Sequence, residues 1–278
     1  MNTQPVLVTS RTNSRVKQLR AAFAGHARLS GGLVAIEGEH LLREALDSGL
    51  PLKTIFLSER VAPPAWLPRG VELLVLAEEV FNSAVDTQHP QGIAALLVPP
   101  IWKIDSILSA KRAGDKAPLL LVAAGLQDPG NLGTLIRSSE AFGANAVLTT
   151  AGTVSEWNQK ALRASAGSVF RVPVVQVAAE HLVALKPQGI RVLAAVAPDS
   201  DSDSVFETDL TTACVIMIGN EGAGLPSDLL ALADGHITIP MPGRVESLNA
   251  AVAGSLLLYE ASRQRTSNLE PRTSNLHP

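Results

Sequence analysis

The sequence predicts an α/β protein in two parts: a smaller N-terminal α/β domain and a larger C-terminal domain built on a mostly parallel sheet. Three observations predict it. Apolar, strand-like segments alternate with helix-like ones along most of the chain, as βαβ units require. The alternation is broken once, over 99–118 (PPIWKIDSILSAKRAGDKAP), where Pro, Gly and mixed charge replace a clear period and mark a linker. Finally, 278 residues, 46% of them hydrophobic, supply two cores at roughly 150 residues per domain.

In the first part (1–98), SRVKQLRAAF reads as a short helix, LVAIEG as a strand and EHLLREALDSG as a helix stopped by Gly49. LKTIFLS and VELLVLA follow as strands, then EEVFNSAV as a helix and GIAALLV as a strand. The second part (119–264) opens with LLLVAAG, a continuous apolar run suited to a strand covered on both faces. Helices are expected at 132–142, 157–166, 180–186 and from 247 to about 264. Between them AVLTT, VPVVQV, RVLAAVA, ACVIMIG and HITIP read as strands. The end, 265–278, contains TSNL twice and reads as a disordered tail.

Composition excludes several classes. The formal charge is −3, so any nucleic-acid footprint must be local. Such a footprint is available: no acid occurs before Glu37, while Arg11, Arg15, Lys17 and Arg20 cluster near the first helix. Lys160 and Arg163 lie in a second stretch without acids, 157–179. One cysteine, in an apolar strand, excludes a disulfide framework and a cysteine-based zinc site, and no histidine pair has metal-ligand spacing. The longest apolar run, about eight residues, falls far short of the ~20 needed to cross a membrane. The N-terminus lacks a signal-peptide core, so a cytoplasmic protein is expected. Ten aromatic residues (six Phe, three Trp, one Tyr) are too few for a base-stacking platform.

Ligands of open α/β sheets bind beyond the carboxyl ends of strands, and three loops there are unusual. In 125–144, Asp128-Pro129-Gly130 reads as a turn, Asn131 as a helix cap, and Arg137 follows on the helix. In 218–226 (IGNEGAGLP) a buried strand runs into a Gly-rich turn containing Glu221. Its GxxGxG order fits neither the Walker loop nor the Rossmann fingerprint. In 239–263, Ser247 and Asn249 stand at the start of a helix rich in small residues, where Ser247 serves equally well as a plain N-cap.

Together, NLGTLIRSSEAFGA, IGNEGAG and IPMPGRVESLNAAVA resemble the three motifs of the SpoU–TrmH family of RNA ribose 2′-O-methyltransferases, in the SPOUT class. SRTNSRVKQLRAA, AIEGEHLLREAL and DTQHPQGIAALL are similar to that family's L30e-like substrate-binding domain. The resemblance implies a trefoil knot in the C-terminal domain, S-adenosylmethionine as methyl donor without a metal, and a homodimer formed through the knot region. It assigns Gly219, Ile239 and Leu248 to the cofactor, and Asn131, Arg137, Glu221, Ser247 and Asn249 to catalysis. Arg11, Arg15, Lys17, Arg20, Lys160 and Arg163 are the phosphate-contact candidates. The implied substrate is ribosomal RNA. A tRNA enzyme of the same family and a non-catalytic RNA- or ribosome-binding protein are the alternatives.

Overall fold

The computed structural model describes residues 7–26, 31–109, 117–198 and 201–267. It divides into two compact units, Met1–Ile101 with Glu156–Arg171, and Trp102–Ser155 with Val172–Pro278.

The first unit begins with β1 (Leu7–Val8) and α1 (Ser14–Phe23). The Asn13 side chain caps α1 by accepting from Arg15 N at 2.8 Å. β2 (Val34–Glu37), α2 (Glu39–Asp47), β3 (Leu52–Ser58), β4 (Glu72–Leu76), α3 (Glu78–Asn82) and β5 (Ile93–Leu97) follow. The sheet order is β1-β4-β3-β5-β2, parallel on the β1 side and antiparallel where β5 meets β3 and β2. Val16, Leu19 and Phe23 of α1 close its core against Phe56, Leu76, Phe81 and Leu96. The two-residue edge strand β1 is too short to announce itself by periodicity.

The second unit starts with α4 (Ile104–Ser109), whose Ile107 joins the core of that unit, so part of the expected linker is structured. Residues 110–116 of that linker lie outside the described residues. β6 (Leu119–Ala123), α5 (Pro129–Ala141) and β7 (Ala146–Thr149) come next. The chain then contributes 156–171 to the first unit. There α6 (Gln159–Ser165) places buried Gln159 so that its Nε2 donates to Ala35 O of the β2 edge at 2.9 Å, and Arg171 meets Glu44 at 2.6 Å. A strand edge carries unpaired backbone groups, and Gln159 satisfies one of them.

The second unit resumes with β8 (Val174–Gln176), α7 (Ala179–Val183), β9 (Arg191–Ala195), β10 (Asp203–Ser204), β11 (Cys214–Ile218), α8 (Ser227–Leu230), β12 (Gly235–Thr238) and α9 (Ala250–Ser267). Seven strands run β10-β12-β9-β11-β6-β7-β8 with every pairing parallel. β6 and β11 are buried at every position, as adjacent central strands covered on both faces must be. One face packs Leu120, Val122, Leu148, Val192 and Met217 against Leu182 and Leu229. On the other, α9 approaches so closely that a Cβ on Gly254 would strike the Leu135 side chain of α5.

Several helix ends differ from expectation, and at three of them another group supplies the hydrogen bonds. Helix α5 starts three residues early: Asp128 caps it by accepting from Gly130 N at 2.6 Å, and Pro129 fits the first helical turn. The expected turn Asp128-Pro129-Gly130 is therefore a helix start. Helix α9 starts later, at Ala250, because Asn249 Oδ1 accepts from Ala251 N (3.0 Å) and Val252 N (3.2 Å). Ser247 is therefore not its cap. At its far end α9 continues to Ser267, past the expected stop near 264. Arg265 donates there to Ala117 O and Thr212 O (both 2.6 Å) and to Leu210 O (2.7 Å). Residues 268–278 of the expected tail lie outside the described residues.

Candidate active site

All three unusual loops emerge from the carboxyl ends of strands in the second unit: 124–128 after β6, 219–224 after β11 and 239–249 after β12. The parallel sheet gathers them at one end, where side chains 118 residues apart touch. Asn131 Nδ2 donates to Glu221 Oε1, and Asn249 Nδ2 donates to Asn131 Oδ1 at 3.1 Å. The members come from the start of α5 just after the first loop (Asn131), from the second loop (Glu221) and from the third (Asn249). Asp128 has taken over the capping of α5, so Asn131 is released for these contacts. Asn249 does both jobs, capping with its oxygen and donating with its nitrogen.

The Gly-rich turn is locked by its own backbone. Asn220 N donates to Gly224 O (3.1 Å) and Gly224 N to Asn220 O (2.8 Å), with Gly224 at φ +68°. A Cβ on Gly219 would collide with the Gly224 backbone carbonyl, so only glycine permits this closure. The residue that sequence reasoning missed here is Asn220. Its Oδ1 accepts from Gly222 N at 2.9 Å and its Nδ2 donates to Gly125 O at 3.2 Å, tying the second loop to the first. Asparagine inside a glycine-rich turn is the signal that could have found it.

A cavity of about 390 Å³ opens beside this network. Gly219, Glu221, Ile239, Ser247 and Leu248 all line it, together with Ala195 and Val196 at the end of β9 and Ala253 and Leu257 of α9. Its volume suits a small cofactor, and its wall is mostly apolar with a few polar groups, as such sites usually are. Thr238 also lines it, and the buried Thr238 hydroxyl has no hydrogen-bond partner among the described residues. Buried hydroxyls are nearly always satisfied, so this orphan fits a site completed by a ligand.

Arg137 stands apart from the hydrogen-bonded chain. It is exposed on α5, six positions after Asn131 and therefore on another face of the helix, and its side chain makes no hydrogen bond or ion pair among the described residues. Its neighbour Ser138 is hydrogen bonded to Ser255 of α9 at 2.6 Å. The structure thus joins Asn131, Glu221 and Asn249 directly, sets Ser247 on the cavity wall, and leaves Arg137 unengaged.

The pattern of the SpoU rRNA Methylase family spans residues 118–259, and that of the MRM3-like substrate binding domain spans 13–95. The chain belongs to the SpoU rRNA methylase family. A relative in Bacillus subtilis, the 23S rRNA (guanosine(2553)-2′-O)-methyltransferase RlmP, is 34% identical over 91% of this chain and 97% of its own length. Among solved structures, the SpoU methyltransferase AviRb from Streptomyces viridochromogenes in complex with AdoMet is similar at TM-score 0.79. It is 28% identical, over 92% of this chain and 99% of that one. An AdoMet-bound rRNA methyltransferase from Sinorhizobium meliloti is similar at TM-score 0.78 and 28% identity, over 94% and 98%. In this SpoU-family chain the three interlocked loops all fall within the SpoU-matched segment, and the six phosphate-contact candidates all fall in the first unit.

Those six meet different surroundings. Arg15 pairs with Glu72 at 2.9 Å, Arg20 donates to Ser83 O at 3.1 Å, and Arg11 lies 3.9 Å from Glu79. Lys17 and Arg163 are exposed with no ion pair among the described residues, and Lys160 is exposed on α6. No helix among the described residues is long and apolar enough to cross a membrane.

Proposed function

We propose that this protein is a cytoplasmic S-adenosylmethionine-dependent RNA ribose 2′-O-methyltransferase acting on ribosomal RNA, with its catalytic sheet closed by a trefoil knot. The observation that carries the reading is the joining of Asn131, Glu221 and Asn249, one from each family motif, beside a glycine-closed cavity. The residues present fit the cofactor. Gly219, Ile239 and Leu248 would hold it, with the orphan hydroxyl of Thr238 awaiting a partner. When bound, S-adenosylmethionine supplies an activated methyl group on sulfonium sulfur. The RlmP relative and the match to a substrate-binding domain support ribosomal RNA. The knot reading is supported by family membership and by the return of α9 to α5 and β11 after β12 has left the sheet centre.

The protein's own task is to align the ribose and manage its hydroxyl proton. Arg137, a guanidinium cation, stabilises the developing alkoxide or clamps the neighbouring phosphate. Glu221 and Asn249, held by Asn131, fix the acceptor side of the cavity, and Ser247 shapes the third loop. Because Arg137 is unengaged among the described residues, it is available to a substrate or to a second copy. Val252, Leu256 and Tyr259 form an exposed apolar stripe at helical spacing on α9 (48, 44 and 53% exposed). A stripe of this kind supports a homodimer through this end of the fold.

Transfer of labelled methyl to unmodified rRNA and, in parallel, to tRNA tests the reading. Label in a nuclease-resistant, 2′-O-methylated dinucleotide of rRNA is expected. Label only in tRNA would replace the substrate class, and no cofactor binding would favour a non-catalytic RNA-binding protein. Arg137→Ala is expected to lose at least about 100-fold in rate while still binding cofactor. Near-normal turnover would remove Arg137 from the mechanism. Leu256→Glu should convert the species seen in sedimentation to monomer.

A further inference from the structure

The cavity beside the three loops is lined by two carboxylates and by no Lys, Arg or His. Its charged residues are Glu221 and Glu246. Glu221 receives a hydrogen bond from the neutral amide of Asn131, and the Glu246 side chain has no hydrogen bond or ion pair among the described residues. Arg244, two positions before Glu246, is exposed and is not part of the cavity wall. Neither carboxylate therefore has an ion pair among the described residues, and no cationic side chain stands beside them in the wall. One opposing field exists. The N-terminus of α9 reaches the wall at Ala250, where the aligned peptides leave about half a positive charge, less than one carboxylate cancels.

The uncharged side chains of the wall distinguish fresh cofactor from spent only weakly. Gly219, Ile239 and Leu248 offer backbone and apolar contacts that suit both alike. In the transfer, the carbon–sulfur bond breaks and its electron pair stays on sulfur. The methyl carbon bonds the ribose oxygen, and the hydroxyl proton leaves to solvent. The ligand left behind differs by one methyl group and one positive charge. A charged group at the wall is the feature able to distinguish the two strongly.

We propose that Glu246, together with Glu221, makes the cavity prefer the cationic methyl donor over the neutral thioether product. Glu246 is then a specificity determinant that favours exchange of product for fresh donor. The proposal rests on the reading of this cavity as the S-adenosylmethionine site. Glu246 is the residue to test, because Glu221 also belongs to the hydrogen-bonded chain with Asn131.

Titration calorimetry on the full-length protein, with S-adenosylmethionine and S-adenosylhomocysteine as the two probes, decides it. Glu246→Gln should weaken the donor roughly three- to tenfold, the effect of losing one solvent-screened charge, while product affinity stays within about twofold. Unchanged product binding also establishes that the variant is folded. Glu246→Asp should keep the preference, and Glu246→Lys should weaken the donor further. High salt should shrink the difference between wild type and Glu246→Gln, since an exposed carboxylate is screened. Equal changes for both probes, or none for either, would overturn the proposal. A wild-type protein that binds neither probe would overturn the cofactor reading first, and the proposal with it.

Discussion

The two polar constellations of this molecule behave in opposite ways on folding. The bases near α1 are neighbours in sequence and look like one acid-free positive patch, yet the fold gives Arg15 to Glu72, Arg20 to Ser83 and brings Glu79 toward Arg11. The residues of the three loops are far apart in sequence, yet Asn131, Glu221 and Asn249 end up joined. A local run of charge is a property of the chain, whereas a field or a site is a property of the surface. Acids from β4 and α3 reach α1 because the sheet order places β4 beside β1. The loops meet because parallel strands deliver all their carboxyl ends to one side.

Gly219→Ala is the strongest way to break the loop constellation. The added Cβ meets backbone that cannot rotate away, so the 219–224 turn must open and cofactor binding should fall by two orders of magnitude or be lost, read by calorimetry. Asn131→Ala removes the shared partner of Glu221 and Asn249. Methyl transfer should drop about 10- to 100-fold, with the thermal midpoint little changed because the network is exposed. The base constellation is sharpened by comparing Lys17→Gln with Arg15→Gln. If Lys17 touches a phosphate, its loss should reduce the slope of log affinity against log salt by about 0.7–0.9. Arg15, already offset by Glu72, should change the slope less, and an equal change would mean that the pair opens on RNA.

The smallest expected effect concerns acid stability. Arg263, and with it Gln264, donates to the buried carboxylate of Glu260 and holds it below the usual glutamate range. A depressed folded-state pKa stabilises the protein above the ordinary glutamate value, and the contribution fades as pH falls through the folded-state value. Glu260→Gln should therefore cost stability at neutral pH, by no more than about 1 kcal/mol given half-exposed Arg263, and little near pH 3. Urea midpoints at the two pH values check it.

Much of this architecture is legible in the chain. SRVKQLRAAF is a helix over the very residues expected, and all six expected strands of the larger sheet are present. What escaped were elements too short to show a period, β1, β10 and α8, and the membership of 156–171 in the first unit. That membership depends on Gln159 and Arg171 finding Ala35 and Glu44, contacts more than a hundred positions away. Capping was half legible: the presence of Asp128, Asn131, Ser247 and Asn249 announced two helix starts, but not which residue would cap. Asp and Asn compete for the same orphan N–H groups, and the loser is freed for the site.

The sequence by itself determined the α/β class, the three loops and their family, because these depend on local period, turn chemistry and motif order. Only the tertiary structure decided that Asn220 ties the second loop to the first, that among the described residues the cavity wall carries Glu221 and Glu246 without a cation, and that Lys17 has no ion pair there while Arg15 has one. The physical reason is reach. Hydrogen bonds and ion pairs act over about 3–4 Å, a distance that strand order sets and that spacing along the chain cannot reveal.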